Sequence, residues 1–166
     1  MEIIELAENL KRTKGRIDAI ELANNLGVKV FTTTDIEVPS LIAFDKESDS
    51  YEIYVNSKEP RERQRFSIAH ELAHFIKHKE KIQEFGVVGR QNIHSLSARE
   101  ENEADALAAE ILMPEPSVRD FMALNGVTTE CKIGDDIVRK FVKAFEVSIP
   151  AGAIRLRDLG YYARYI

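Results

Sequence analysis

The chain has 166 residues, of which 44% are hydrophobic and 31% charged, and its formal net charge is −5 at pH 7. These values are ordinary for a soluble globular protein that buries a core, and the acidic balance argues against general nucleic-acid binding. A single cysteine excludes an internal disulfide. The sequence has no signal-peptide pattern and no apolar run of roughly 18 residues. These features predict a cytoplasmic protein without a membrane segment.

The predicted elements begin with helices near residues 2–12 and 16–26, followed by three strands at 28–31, 41–44 and 51–55. A long helix is predicted from about 61 to 79, and a loop over 81–96. The capping box of Ser97 and Glu100 opens another helix, which Pro114 ends after Met113. Further helices are predicted near 117–124 and 135–146, with a last one from about Pro150.

These elements predict an α+β fold, small and mostly helical, with a short three-stranded antiparallel sheet packed on the helix at 61–79. We expect a single domain over residues 1–166, divided into N-terminal helices and sheet (1–60), a central core (61–114) and a C-terminal helical part (115–166). The strand at 52–56 is either part of the core or an edge that an extended peptide could join.

The long helix carries His70-Glu71-Leu72-Ala73-His74. Two histidines four residues apart lie about 40° apart around a helix and one turn along it, so both imidazoles can reach one divalent ion. Glu71 then faces the remaining coordination position, where it can take a proton from water. This spacing is typical of zincins.

A catalytic zinc site needs a third protein ligand. On a helical wheel, Glu101 and Asp105 share a face with small and apolar residues, whereas Glu103 lies beside Glu110 on the opposite face. Buried carboxylates are costly unless paired or bound to metal. This contrast favours Glu101 as the ligand and Asp105 as its neighbour that bonds a ligand imidazole. The alternative is a solvated, acidic helix start.

His78 continues the four-residue series, but about 12 Å of helix separates it from His70, which is too far for both to bind one ion. It is expected either to line the cleft beside His74 or to be a polar residue near a helix C-terminus.

The stretches RFSIAHELAH (65–74) and ENEADALAAEILMP (101–114) resemble the ImmA/IrrE family of zinc metallo-endopeptidases, and a weaker likeness extends over about 50–160. Ala73 stands where the family has glycine, and Leu107 where it has an aromatic residue. The resemblance implies a zinc metallopeptidase domain with Zn²⁺ held by His70, His74 and Glu101.

Glu71 would be the catalytic base, and the candidates for steadying the oxyanion or lining the cleft are His78, His94, Tyr161 and Tyr162. The resemblance also implies site-specific cleavage of a protein substrate, a helix-turn-helix repressor or other regulatory DNA-binding protein. Since 27 residues precede the first strand, too few for such a domain, we expect the repressor on a separate chain.

Two other functions stay open at the level of sequence. The first is a zinc-containing interaction or toxin–antitoxin module that binds its partner without cleaving it. The second is DNA binding through a helix-turn-helix near residues 144–154. From 128 to 166 there are seven Lys and Arg against five Asp and Glu, a balance too small to favour a duplex binder, so no direct nucleic-acid contact is expected.

Overall fold

The computed structural model describes residues 3–89, 96–129 and 132–163. Within these ranges the chain forms eight helices and six short strands, and the predicted α+β class is confirmed. The helices are α1 (Ile3–Lys14), α2 (Ala19–Asn25), α3 (Arg61–Lys77), α4 (Lys79–Phe85), α5 (Ala98–Leu112), α6 (Glu115–Leu124), α7 (Asp135–Phe145) and α8 (Ile149–Asp158). The strands are β1 (Val28–Thr33), β2 (Ser40–Asp45), β3 (Ser50–Asn56), β4 (Val87–Gly89), β5 (Lys132–Ile133) and β6 (Tyr162–Ala163).

The described residues fall into two compact units. One is Asp18–Ala108, which contains the sheet, α3 and most of α5. The other combines the residues before Asp18 with those from Ala109 onward. The prediction of a single domain over 1–166 stays a prediction.

The sheet in the unit Asp18–Ala108 has four strands in the order β1-β3-β2-β4. β2 pairs antiparallel with both β3 and β4, whereas β1 runs parallel to β3, with Val30 opposite Ile53. The prediction of three antiparallel strands was therefore wrong in this detail. The hairpin of β2 and β3 is a local feature of the chain. The parallel pair joins β1 to β3 across the whole of β2, and the hydrophobic periodicity of a strand does not indicate which strand it pairs with or in which direction.

Two local predictions also differ from the structure. β3 is paired on both sides, so of the two alternatives for 52–56 the structure has the core strand and not the edge. The segment 81–96 is not a loop throughout, because α4 and β4 occupy most of its first half and residues 90–95 lie outside the described part. Ile82, which is fully buried, anchors α4.

α3 packs on β2 and β3, as predicted for the helix that carries the histidines. Its inner face contributes Ile68, Ala69 and Leu72, all at most 4% exposed. Opposite strand residues such as Ile42 and Ile53 are fully buried. This apolar contact fixes the direction in which the helix presents its remaining faces.

The second unit is built from α1 and α6–α8. Phe121, Phe141 and Phe145 form a cluster of rings with centroids 4.6–5.9 Å apart. Gly152 brings α8 against α7, where an added Cβ would lie 2.5 Å from Val142 Cγ1. No helix in the described part of the chain is long and apolar enough to span a membrane.

Candidate metal centre

The candidate site is formed first by two buried histidines of α3, His70 and His74. α3 begins after Pro60, whose own backbone is not helical, and Glu62 in its first turn favours the helix dipole. His70 is 1% exposed and His74 is fully buried. Their Nε2 atoms lie 2.9 Å apart, as the four-residue spacing on a helix predicts for two side chains turned to one point.

α5 brings a carboxylate to the same point. Its start is fixed by the predicted capping box, in which the Ser97 amide donates to Glu100 Oε2 (2.8 Å) and the Glu100 amide donates to Ser97 Oγ (3.3 Å). Lys81 of α4 also donates to Glu100. This hydrogen bond, with the one from Ser97, lowers the pKa of Glu100 to about 2, so the contact joins two charged groups.

The next residue, Glu101, faces both imidazoles. Its Oε2 lies 3.3 Å from His70 Nε2, and its Oε1 lies 3.6 Å from His74 Nε2. The three donor atoms are within 4.8 Å of one another. Ligands at about 2.0–2.2 Å around a tetrahedral ion are separated by roughly 3.3–3.6 Å. The separations of Glu101 from the two imidazoles lie in this range, and the two imidazole nitrogens, at 2.9 Å, are somewhat closer, so the three donors are grouped tightly enough to hold a single small divalent ion.

The protonation of His74 suits such a role. Burial lowers its pKa to about 4, and the neighbouring His70 acts in the same direction. A buried imidazole with this pKa is neutral at pH 7, which leaves a lone pair for coordination.

Asp105 lies one turn after Glu101 on α5. Its Oδ1 is 2.8 Å from Nδ1 of His70 and accepts a hydrogen bond when that nitrogen carries the proton. The contact directs the other nitrogen of the ring, Nε2, towards Glu101. Glu103 points elsewhere: it is 43% exposed and pairs with Arg99 at 2.9 Å.

Glu71 is fully buried and has a partner that sequence reasoning missed. Ser40 at the start of β2 donates from Oγ to Glu71 Oε1 at 2.7 Å, and Ser40 itself is 3% exposed. The two residues are 31 positions apart and no motif links them. In the sequence, Ser40 is simply a serine at the start of an apolar strand, and serines at such positions are too common to indicate a contact with Glu71.

The remaining predicted cleft residues are less closely grouped. His78 places its Nδ1 3.0 Å from Nδ1 of His74. Tyr161 is 4% exposed in the second unit, where its amide donates to Leu156 O. The side chain of Tyr162 and all of His94 lie outside the described part of the structure.

A helix with two metal-spaced histidines and a buried glutamate, completed by a carboxylate from a second helix, defines a metallohydrolase type of centre. Residues 23–157 match the family model Peptidase M78, described as the IrrE N-terminal-like domain. The chain therefore belongs to the ImmA/IrrE family of metallopeptidases, as its sequence motifs predicted.

Its relatives include a curated metallopeptidase and a solved structure. Metallopeptidase ImmA of Bacillus subtilis (strain 168) is 25% identical over 142 residues, which cover 85% of this chain and 81% of that protein. A solved structure of a Mycobacterium tuberculosis transcriptional regulator aligns with a TM-score of 0.56 at 14% identity. It covers 93% of this chain but 46% of the regulator, so the chain spans less than half of that protein, and the likeness concerns the fold alone.

Proposed function

We propose that this chain is a zinc-dependent endopeptidase. The observation that carries the proposal is the convergence of His70 Nε2, His74 Nε2 and the Glu101 carboxylate, with separations of 2.9–3.6 Å, beside a buried Glu71. Two histidines and one glutamate are a donor set of catalytic zinc sites, which keep a fourth position open. A purely structural zinc site is normally closed by four protein ligands.

The chemistry follows from these side chains. Zinc, when bound, lowers the pKa of water in the site towards about 7 and polarises the scissile carbonyl. The carboxylate of Glu71 takes the proton from the attacking water and delivers it to the leaving amine nitrogen. The Ser40 hydroxyl donates to Oε1 of Glu71 and holds that carboxylate in one orientation. His94, Tyr161 and Tyr162 stay the sequence-based candidates for steadying the oxyanion.

Replacing the base tests the mechanism. We expect Glu71→Gln to bind zinc like the wild type and to lose about 10²- to 10⁴-fold in kcat, because general acid–base catalysis contributes that much. Peptide cleavage is followed by mass spectrometry and zinc by atomic emission. Glu62→Gln, an exposed change on the same helix, is the matched control and should leave both values unchanged. Cleavage at the wild-type rate by Glu71→Gln would rule the mechanism out.

The proposed substrate is a helix-turn-helix repressor or another regulatory DNA-binding protein on a separate chain, in the cytoplasm. The family resemblance supports this choice. The test is incubation of the zinc-loaded protein with a purified helix-turn-helix repressor from the same organism, with the cleavage site read from the fragments. A repressor left intact by protein that cuts unrelated chains would contradict this assignment.

The alternative of DNA binding has less support. α7 and α8 are joined by three residues, as in a helix-turn-helix, but Ile149 and Ile154 are 42% and 50% exposed on α8. The two arginines of α8 already have partners: Arg155 Nε donates to the carbonyl oxygen of Met113, and Arg157 Nη2 lies 3.5 Å from Oδ1 of Asp158. An apolar face with paired arginines is a poor match for phosphate. The alternative of a binding module without catalysis leaves the buried pair of Glu71 and Ser40 unexplained.

A further inference from the structure

The two histidines of the candidate metal centre have different outer partners. Each ring presents Nε2 to the point shared with Glu101, so each Nδ1 is turned outward. For His70 that nitrogen meets the carboxylate of Asp105 at 2.8 Å. For His74 it meets Nδ1 of a third imidazole, His78, at 3.0 Å.

The direction of this hydrogen bond follows from the chemistry of imidazole. A neutral ring has one N–H and one acceptor nitrogen. If Nε2 of His74 gives its lone pair to an ion, Nδ1 must carry the proton and donate. Nδ1 of His78 must then accept, which leaves the proton of His78 on Nε2. That nitrogen lies 3.9 Å from Oε2 of Glu103, which is beyond direct hydrogen-bond distance but places a negative charge on the side of the proton.

The backbone explains how His78 reaches this position. It follows the last residue of α3, and its φ of −130° and ψ of 28° are not helical. Its amide donates to His74 O at 2.7 Å, so the residue still sits one turn above His74. His78 is 9% exposed, so water competes little for the bond between the rings.

We propose that His78 is a positioning residue that accepts the Nδ1–H of His74 and holds this ligand in the tautomer that presents Nε2 to zinc. This inference rests on the proposed metal centre. It assigns His78 a different task from the oxyanion or cleft role expected from the sequence, because the nitrogen that faces the site is occupied by His74. Partners of this kind typically raise metal affinity by about 10- to 100-fold.

The first test compares two substitutions of similar size. In His78→Asn, Oδ1 can take the place of Nδ1 as acceptor, whereas His78→Leu has no acceptor. Zinc affinity is measured by competition with a chromophoric chelator at fixed pH. We expect the leucine variant to bind zinc about 10- to 100-fold more weakly, and the asparagine variant to recover most of that loss. Equal affinity of the folded leucine variant and the wild type would overturn the proposal.

The second test needs no substitution, so it holds even if the leucine variant does not fold. The chain has four histidines, which makes their ring nitrogens separable by NMR after isotope labelling. In the zinc-loaded wild type we expect the proton on Nδ1 of His74 and on Nε2 of His78. A proton on Nδ1 of His78 would overturn the proposal.

Both readouts are independent of peptidase activity. Failure of the wild type to bind zinc would refute the proposed function. Zinc binding with unchanged affinity in the leucine variant would refute the role of His78 alone.

Discussion

Glu101 is the carboxylate of α5 that turns towards the imidazoles of His70 and His74, at 3.3 and 3.6 Å. Glu110, two and a half turns further along the same helix, instead lies in the field of Arg155. The two glutamates are therefore a matched pair, one beside the two imidazoles and one that interacts with Arg155.

This contrast gives a prediction for metal content. Glu101→Gln should weaken zinc binding by more than the roughly 10- to 100-fold typical of losing an outer partner, because it removes a direct ligand. Glu110→Gln should bind zinc like the wild type. Zinc per chain is measured after dialysis against limiting metal. Equal zinc in all three proteins would refute the ligand assignment.

Ser40 permits a second prediction at this scale. Ser40→Ala removes the 2.7 Å hydrogen bond to Glu71, and bonds to charged groups are worth about 1.5–3 kcal/mol. We expect kcat to fall about tenfold or more, with KM and zinc content unchanged, because the hydroxyl touches the base alone. Ser40→Thr, which keeps the hydroxyl, should recover part of the rate. An unchanged kcat in the alanine variant would contradict this role.

At the scale of elements, the close approach of α7 and α8 depends on Gly152. Alanine has the better helix propensity by about 0.8–1.0 kcal/mol, but its Cβ would lie 2.5 Å from Val142 Cγ1 and 3.3 Å from Phe141. Because a valine side chain on a helix is restricted to one rotamer, Val142 cannot rotate its methyl group away from the added Cβ. The packing conflict, about 1–3 kcal/mol, should exceed the gain in propensity.

We therefore expect Gly152→Ala to lower the free energy of unfolding by up to about 2 kcal/mol, measured by urea denaturation. The double variant Gly152→Ala/Val142→Ala should lose less than the sum of the two single changes, because the second substitution removes the atom that clashes. A Gly152→Ala protein more stable than the wild type would show that α8 moves away at little cost.

At the scale of the whole molecule, the candidate metal centre joins two helices that are distant in sequence, α3 and α5. A ligand that binds only the folded state at 100 times its Kd adds about 2.7 kcal/mol of stability. For a chain of this size that corresponds to a rise of roughly 5–10 °C in Tm.

Chelation should therefore lower the Tm of the zinc-loaded protein by about that amount, measured by calorimetry before and after treatment with EDTA. Glu101→Gln should start at the lower Tm and respond little to the chelator. A Tm that is the same with and without zinc would mean that the ion does not bind to the folded protein in preference to the unfolded chain.

Sequence alone was informative where the relevant contacts lie within one helix. The four-residue spacing of His70 and His74 and the wheel that separates Glu101 from Glu103 both depend on helical periodicity, which is a local property. The capping box of Ser97 and Glu100 is equally local, and the structure has it where it was predicted.

The tertiary structure alone decided what meets across elements. The parallel pairing of β1 with β3 and the contact of Ser40 with Glu71 depend on strand order and on how α3 packs on the sheet. These contacts arise when apolar faces of separate elements pack together, and no residue spacing along the chain encodes which polar groups then become neighbours. The metal-spaced motif and the neighbours of its imidazoles were therefore predictable from the sequence, whereas the serine that orients its base required the fold.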